Sequence, residues 1–598
     1  MTEDAQTVDP LDSPVHEAIW AKIPDALPLY TELVVAGGGI SGCAAAISAA
    51  RLGVQVVMVE STHMLGGQAG PGGVSAMDET RYYANIIQEF GFWGEFTTRV
   101  RHFYTYRLER PCNTSQYRDE SFSPNPVVVD RVLTAMLKEA GVRAYRNVTV
   151  TGVRVNGEQA QLDTTSGGIA GRCLVDATED GSVTRLSGLA HRVGNSVYDG
   201  KTYSHENFQD TFIQDITQTA MIRRYDAGTM PEGLRLTEEP EGYQKARAAV
   251  SRAYPRGSRQ GIEEKENGFA GYRGAPDLGT ENYYTGSQWK DITRTSLNYF
   301  NDQPTEASYL LDESARASIE RAAINRTLAI IYYLQNECDL PWSVATDEGY
   351  DKMPRERSPK VTEGLPMNVV RHFPPIPYIR ESVRIVGRET LTGKDIYRTS
   401  NRGAPKVDVT SIATGTYPPD LHGGRRERDL EEDLGESLAD KPKVWREGPF
   451  SIPLGCLLPR TRVPMVAAEK NVSASRIGAA ALRLHPTVAG IGQAAGVVSA
   501  LAIRHKVFPH DVPTLAVQLT LMQQGAYLPP RRVEELTTAH EDFVEAQTAV
   551  LYQVLPMELN PSEGCAPTTR VNLNRATRIG TAIREEYESW LIDPSVHP

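Results

Sequence analysis

Gly37, Gly39 and Gly42 follow the apolar run Leu33 to Ala36 and fill a G-x-G-x-x-G spacing. In that spacing the first glycine makes a tight turn and the second lets the backbone approach a pyrophosphate. The third lets the following helix lie close on a sheet. The helix start then offers N–H groups and a partial positive charge to the phosphates. Glu60 ends the next apolar run, eighteen residues after Gly42, where a carboxylate accepts hydrogen bonds from a ribose. Glycines alone punctuate many turns. Here a strand before, an alanine-rich helix after and the terminal acid agree on one chemistry, the binding of a dinucleotide.

The elements that must position these groups are a strand from Leu33 to Ala36, a helix from about Ser41 to Leu52 and a strand from Gln55 to Val59. A second glycine loop, Leu65 to Gly73, excludes helix and central strand there and lets backbone pass close to a flat ligand. Its alternative is a plain exposed connection. A helix follows from Val127 to Ala140, with Val128, Val132, Leu133, Met136 and Leu137 on one face and Gly141 as its stop. Short strands are expected over 143–145, 149–155, 159–164 and 171–175, leading into the turn Asp176-Ala177-Thr178-Glu179-Asp180-Gly181.

At 598 residues, 40% apolar and 23% charged, the chain has globular composition and length for two or more domains. The net charge of −12 argues against general nucleic-acid or acidic-membrane binding. No run of eighteen apolar residues marks a transmembrane helix, and the acidic start lacks the pattern of a secretory signal. Six scattered cysteines (43, 112, 173, 338, 456 and 565) without a C-x-x-C pair speak against a disulfide framework or metal site and fit a reducing cytoplasm. No metal is expected.

Residues 1–30 read as a surface arm with Trp20 as its anchor. From about 201 to 375 the chain turns polar and tyrosine-rich (Tyr283, Tyr284, Tyr299, Tyr332, Tyr333), with a long helix from about Glu313 to Glu337 repeating Ile324, Leu328 and Ile331. The mixed-charge run Arg425 to Glu436 reads as a solvated face. Met465 to Ser473 is a strand running into a turn. From Thr487 a helix carries the small residues Ala489, Gly492 and Gly496, suited to press against a planar ligand or simply against another element.

The order of these motifs resembles one family. Gly-x-Gly-x-x-Gly, Ala-Thr-x-Asp-Gly, Arg-Glu-Ser-x-Arg from Arg380, Tyr-Pro-x-Asp-x-His-Gly from Tyr417 and Arg-x-x-Pro-Thr…Gly-Gln-Ala-Ala-Gly from Arg483 are similar to the bacterial FAD-dependent oxidoreductases sometimes labelled xanthan-lyase-associated. That group lies within the glutathione-reductase-like flavoproteins, and the likeness covers roughly residues 30–190 and 375–505. It implies an α/β fold: a Rossmann-like FAD-binding domain of glutathione-reductase type (31–200 and 376–510), a large inserted, mainly helical substrate domain (201–375) and a helical C-terminal extension (511–598).

The resemblance further implies noncovalent FAD held along its length. Gly37, Gly39, Ser41 and Gly42 would cradle the pyrophosphate, Glu60 the adenosine ribose, and Val148 the adenine through its backbone. Gly66 and Gly67 would pass the flavin end, with Gly492 and Gln493 over the pyrimidine side. Asp180, in the Ala-Thr turn, would approach the cofactor, although Glu179 stands where glycine is commoner. Ala468-Glu469 stands where aromatic hydroxylases carry Gly-Asp beside the ribityl chain.

Flavin oxidations need a substrate C–H aimed at the ring and a group to take a proton as hydride leaves. The motifs offer Arg380, Arg384 and Arg483 as carboxylate-orienting forks and His485 as the base. Each has a plainer alternative: an ion pair with Glu381 for Arg380 and Arg384, and helix capping before Pro486 for His485. The expected function is an FAD-dependent dehydrogenase or oxidase acting on a small organic substrate, with a homo-oligomer open. The alternatives are an NAD(P)H-dependent monooxygenase, suggested by Asp180 to Arg185, and a flavin-binding protein without turnover. No second G-x-G-x-x-G supplies a separate NAD(P)H domain.

Overall fold

In the computed structural model the described residues are 20, 22–77, 90–107, 122–206, 211–254, 273–275, 293–298, 300–354, 357–396, 408–424, 426–440, 449–530, 532–533, 536–552, 558–559, 568–570 and 578–585. The arm before Trp20, Cys112, Cys565, Tyr283, Tyr284, Tyr299 and Arg425 lie outside them.

The chain begins as a βαβ unit: β1 (Tyr30–Ala36), α1 (Ile40–Arg51) and β2 (Val56–Val59). Leu33 to Ala36 and all of β2 are buried, as a sheet covered on both faces requires. After α2 (Gly91–Arg107) and α3 (Pro126–Glu139) come β3 (Arg143–Tyr145), β4 (Val150–Arg154), β5 (Ala160–Thr164) and β6 (Gly167–Asp176). They order the main sheet β3-β2-β1-β6-β5-β4. The first half of β6 pairs antiparallel with β5, while its last residues pair in parallel with β10 (Met465–Ala467).

Register aligns the exits of these strands. Ala36 is opposite Val59 and Asp176, and Asp176 is opposite Ala467. The chain therefore leaves β1, β2, β6 and β10 along one rim, the carboxyl edge at which open α/β sheets bind ligands.

One helix backs this rim. The helix expected from Thr487 starts at His485 and runs as α5 (His485–His505), with Pro486 in its first turn. By length and composition it could cross a bilayer, but nearly all of it is buried inside the protein; it is the core helix. A Cβ on Gly492 would stand 2.1 Å from the Ser41 carbonyl oxygen, and one on Gly496 2.2 Å from that of Ala45. The small residues thus let α5 lie directly on α1.

Among the described residues the insertion's regular structure is mostly helical, led by α4 (Glu313–Asn336). Ile324, Leu328 and Ile331 are buried as their spacing predicts. It also contains an antiparallel sheet that the sequence had not revealed, β7 (Ala220–Arg224) between β8 (Arg294–Leu297) and β9 (Trp342–Val344). Helices α6 (Thr514–Gln523) and α7 (Phe543–Leu551) follow the core helix.

Candidate active site

The turn after β1 is shaped by crowding. Gly37 has φ +103°, and a Cβ there would lie 2.2 Å from the Ala177 carbonyl oxygen; a Cβ on Gly42 would lie 1.9 Å from that of Gly37. Glycine is required at both positions. No side chain caps the start of α1, whose N-cap is Gly39. The second glycine loop lies on the first through the Gly66 N–H to Gly38 carbonyl bond of 2.8 Å. Gly66 and Gly67 both take positive φ.

Helix α3 and the insertion hold that second loop. Asp130 on α3 accepts the Leu65 N–H at 2.7 Å. From the insertion, Thr219 and Ser296 hydroxyls donate to Gly72 and Gly73 carbonyls at 2.7 and 2.8 Å, and the Tyr350 hydroxyl donates to the Gly70 carbonyl at 3.1 Å. Trp20 donates its indole N–H to the second Asp130 oxygen at 3.1 Å.

A cleft of about 580 Å³ opens beyond this rim, lined by Gly37, Gly39, Glu60, Gly67, Val148 and Glu179 among others. Glu60 accepts the Gly38 N–H and the Thr62 N–H, each at 2.7 Å. Burial pushes its carboxyl up, against those bonds. Val148 lines the cleft with its N–H committed to the Glu60 carbonyl, so a backbone contact to adenine would run through its own carbonyl. Asp180 is paired with Arg316 of α4 at 2.8 Å, which holds its carboxyl below the usual range despite burial. Arg316 and Tyr309, which sequence reasoning missed, bring the insertion to the cleft wall.

At the glycine-loop end stand buried polar groups. The Ser41 hydroxyl donates to Glu469 at 2.5 Å. Gln68 donates through its side chain to the Arg483 carbonyl at 2.9 Å. Its buried Oε1 has no hydrogen-bond partner among the described residues. The start of α1 has no side-chain cap, and Gly39 faces the Glu179 and Glu469 carboxylates. This set suits an adenosine pyrophosphate along the rim, in the anion position over the helix start, with a polar ring edge at the second loop.

Four segments converge beside that loop. Arg483 hydrogen-bonds the Tyr378 hydroxyl and lies 3.3 Å from Asp420 Oδ2. Arg380 lies over the Tyr378 ring, 4.4 Å from its centroid, and pairs with Asp302 at 3.0 Å. His422 joins the two pairs, Nδ1 at 2.7 Å from Asp302 Oδ2 and Nε2 at 2.9 Å from Asp420 Oδ2. Although burial opposes it, Arg380 and His422 hold Asp302 well below the ordinary carboxylate range; His422 and Arg483 do the same for Asp420. The arginines are buried, whereas the His422, Asp302 and Asp420 side chains keep about a quarter to a third of their surface. The motif from Tyr417 holds both Asp420 and His422, and nothing in its spacing marks either as a site residue.

Other expected site residues lie elsewhere. Arg384 is fully buried, bonded to Glu431 at 2.8 Å, Glu381 at 3.0 Å and the Ala474 carbonyl at 2.7 Å. It knits the chain beneath the site, so the ion-pair alternative holds for Arg384. Gly492 faces the Ser41 backbone. The Gln493 side chain accepts the Phe92 N–H at 3.1 Å and faces α2. Both therefore serve helix packing away from the cleft. His485 is buried as the first residue of α5. Cys43, Cys173 and Cys456 are buried free thiols.

The profile of the family described as FAD dependent oxidoreductase matches residues 32–521. No curated protein matches the chain at a significant level. Among solved structures, a thioredoxin reductase from Gloeobacter violaceus aligns at 19% identity over 26% of this chain and 38% of its own, with a TM-score of 0.16. L-proline dehydrogenase from P. horikoshii aligns at 16% identity over 34% of this chain and 63% of its own, TM-score 0.23. L-Amino acid deaminase from Proteus myxofaciens aligns at 17% over 34% and 54%, TM-score 0.23. The chain spans less than two thirds of the length of each.

Proposed function

Since the chain belongs to the FAD-dependent oxidoreductase family, matched over residues 32–521, we propose that it takes a hydride from a small organic substrate onto noncovalently bound FAD. The order of its motifs supports a place in the xanthan-lyase-associated group. The single observation that carries the reading is the Asp302–His422–Asp420 chain, joined through Arg483 and Gln68 to the second glycine loop.

Bound FAD supplies the hydride acceptor; the protein's own groups do the rest. The start of α1 and Gly39 would hold the phosphates, and the Glu60 carboxylate would offer its remaining lone pairs to ribose hydroxyls. When a C–H bearing a hydroxyl or amino group gives up hydride, its O–H or N–H proton must go to a positioned base. In this reading the proton goes to the Asp302–His422–Asp420 chain, in place of the buried His485. Both ring nitrogens of His422 face carboxylate oxygens, so a nitrogen accepts only when one of those contacts opens to the substrate, and the ring reaches the surface. Arg380 and Arg483 orient those carboxylates and the Tyr378 ring rather than gripping substrate directly.

The test is the visible spectrum of the purified protein before and after acid precipitation, then anaerobic mixing with amino acids, hydroxy acids and NADPH. Flavin released into the supernatant and bleached by an organic donor agrees with the proposal. Protein that takes up no flavin overturns it, and bleaching by NADPH alone favours the monooxygenase.

A further inference from the structure

Between the two glycine loops stands the side chain of Glu179. Its Oε1 accepts the Gln68 N–H at 3.1 Å. The same oxygen lies 3.1 Å from where a Cβ on Gly39 would project and 1.9 Å from one on Gly67. Its Oε2 is ion-paired with Lys470 Nζ, which lies 3.5 Å from Glu469 Oε1. Lys470 has no exposed side-chain surface. Burial works against its charge, yet Glu179 and Glu469 together hold it protonated.

A carboxylate therefore sits over the start of α1, where N–H groups and the helix dipole favour an anion. The backbone path that a dinucleotide pyrophosphate needs runs past Gly39, the face that Glu179 covers. Two carboxylates already share one ammonium here. A pyrophosphate added beside both would bring further negative charge into contact with them in a poorly solvated place. One arrangement relieves this: the flexible glutamate leaves, and the ammonium keeps an anionic partner.

We propose that Lys470 is a cofactor-phosphate ligand held in reserve by Glu179: on binding, the pyrophosphate takes the Glu179 position over α1 and Lys470 passes from the carboxylate to the phosphate. This rests on reading the cleft as the FAD site. Lys470 lies in the Ala-Glu-Lys turn after β10, and Glu179 is the residue that departs from the Ala-Thr-Gly pattern. Glu179 and Lys470 thus act as one unit. Glu469 remains with the Ser41 hydroxyl and steadies the ammonium in both arrangements.

The test uses full-length protein stripped of flavin, with FAD and ADP affinities measured by calorimetry. ADP carries the same pyrophosphate without the ring. Glu179→Ala and Glu179→Gln should each tighten both ligands about tenfold or more. Lys470→Met should weaken both by a similar factor, with Lys470→Arg restoring most of the loss. If Lys470→Met does not fold, the double variant Glu179→Gln/Lys470→Met, which removes both charges, should bind ADP at least about tenfold more weakly than Glu179→Gln alone.

Glu179 variants that bind both ligands as the parent does, or more weakly, overturn the exchange while leaving the flavin reading intact. Weaker binding would mean that the carboxylate itself holds the cofactor. Parent protein that binds ADP but no FAD overturns the flavin reading and leaves the exchange to be judged on ADP. Parent protein that binds neither overturns both.

Discussion

Gly42 lies so close to Gly37 that a Cβ on Gly42 would stand 1.9 Å from the Gly37 carbonyl oxygen. The obstacle is backbone, which cannot rotate away. Gly42→Ala should therefore push α1 off β1, costing about 3 kcal/mol or more, at the upper end of overpacking penalties. Thermal melting together with the flavin-to-protein absorbance ratio checks this. Parent-like values in both would mean that the turn relaxes without cost.

Gly496 makes the corresponding contact between helices, with Ala45. Gly496→Val should separate α5 from α1 and lower both the melting temperature and FAD retention. Gly490→Ala is the control: it lies on the same helix, and its Cβ would meet only the Ala413 Cβ at 3.2 Å. Equal effects from the two would argue against the Ala45 contact as the cause.

Arg384 and Arg380 lie four residues apart but should behave differently. Arg384→Met leaves the buried Glu381 and Glu431 short of a counter-charge and should cost about 3–5 kcal/mol. The affinity of the remaining folded protein for FAD should not change. Arg380→Met should alter the rate of flavin reduction more than stability, because its partner Asp302 holds His422. Denaturant unfolding and stopped-flow reduction read the two effects separately.

Acid should weaken the Asp302 and Asp420 pairings in a defined direction. Both carboxyls are depressed in the folded state. Their contribution is thus present above the unfolded value of about pH 4 and lost as pH falls towards the folded values. Asp302→Asn should be less stable than the parent at pH 7, and the gap should close below about pH 4. A gap independent of pH would show that the charge is not what matters.

His422→Ala should slow flavin reduction by roughly a hundredfold, the usual worth of a positioned base, once an organic donor is known. His485→Ala should act mainly on stability, since it opens the first turn of a core helix. If His485→Ala slows reduction and His422→Ala does not, the base is the one expected from the motif.

The βαβ unit, Glu60 and the two glycine loops were legible because strand, turn and helix are contiguous, and local spacing dictates where that backbone must go. The stripe Ile324, Leu328 and Ile331 was legible for the same reason. Gly492 shows the limit: a small-residue helix fits a planar ligand and a neighbouring helix equally well, and only the position of Ser41 decided between them. Arg384 carries the same chemistry as Arg380, and only the surrounding carboxylates separate a buried brace from a site residue. Asp302, Tyr378, His422 and Arg483 come from four segments spread over nearly two hundred residues. No spacing in the chain links them. Their meeting depends on how the insertion folds back over the sheet rim, and that is set by the summed packing of whole surfaces rather than by any neighbour in sequence.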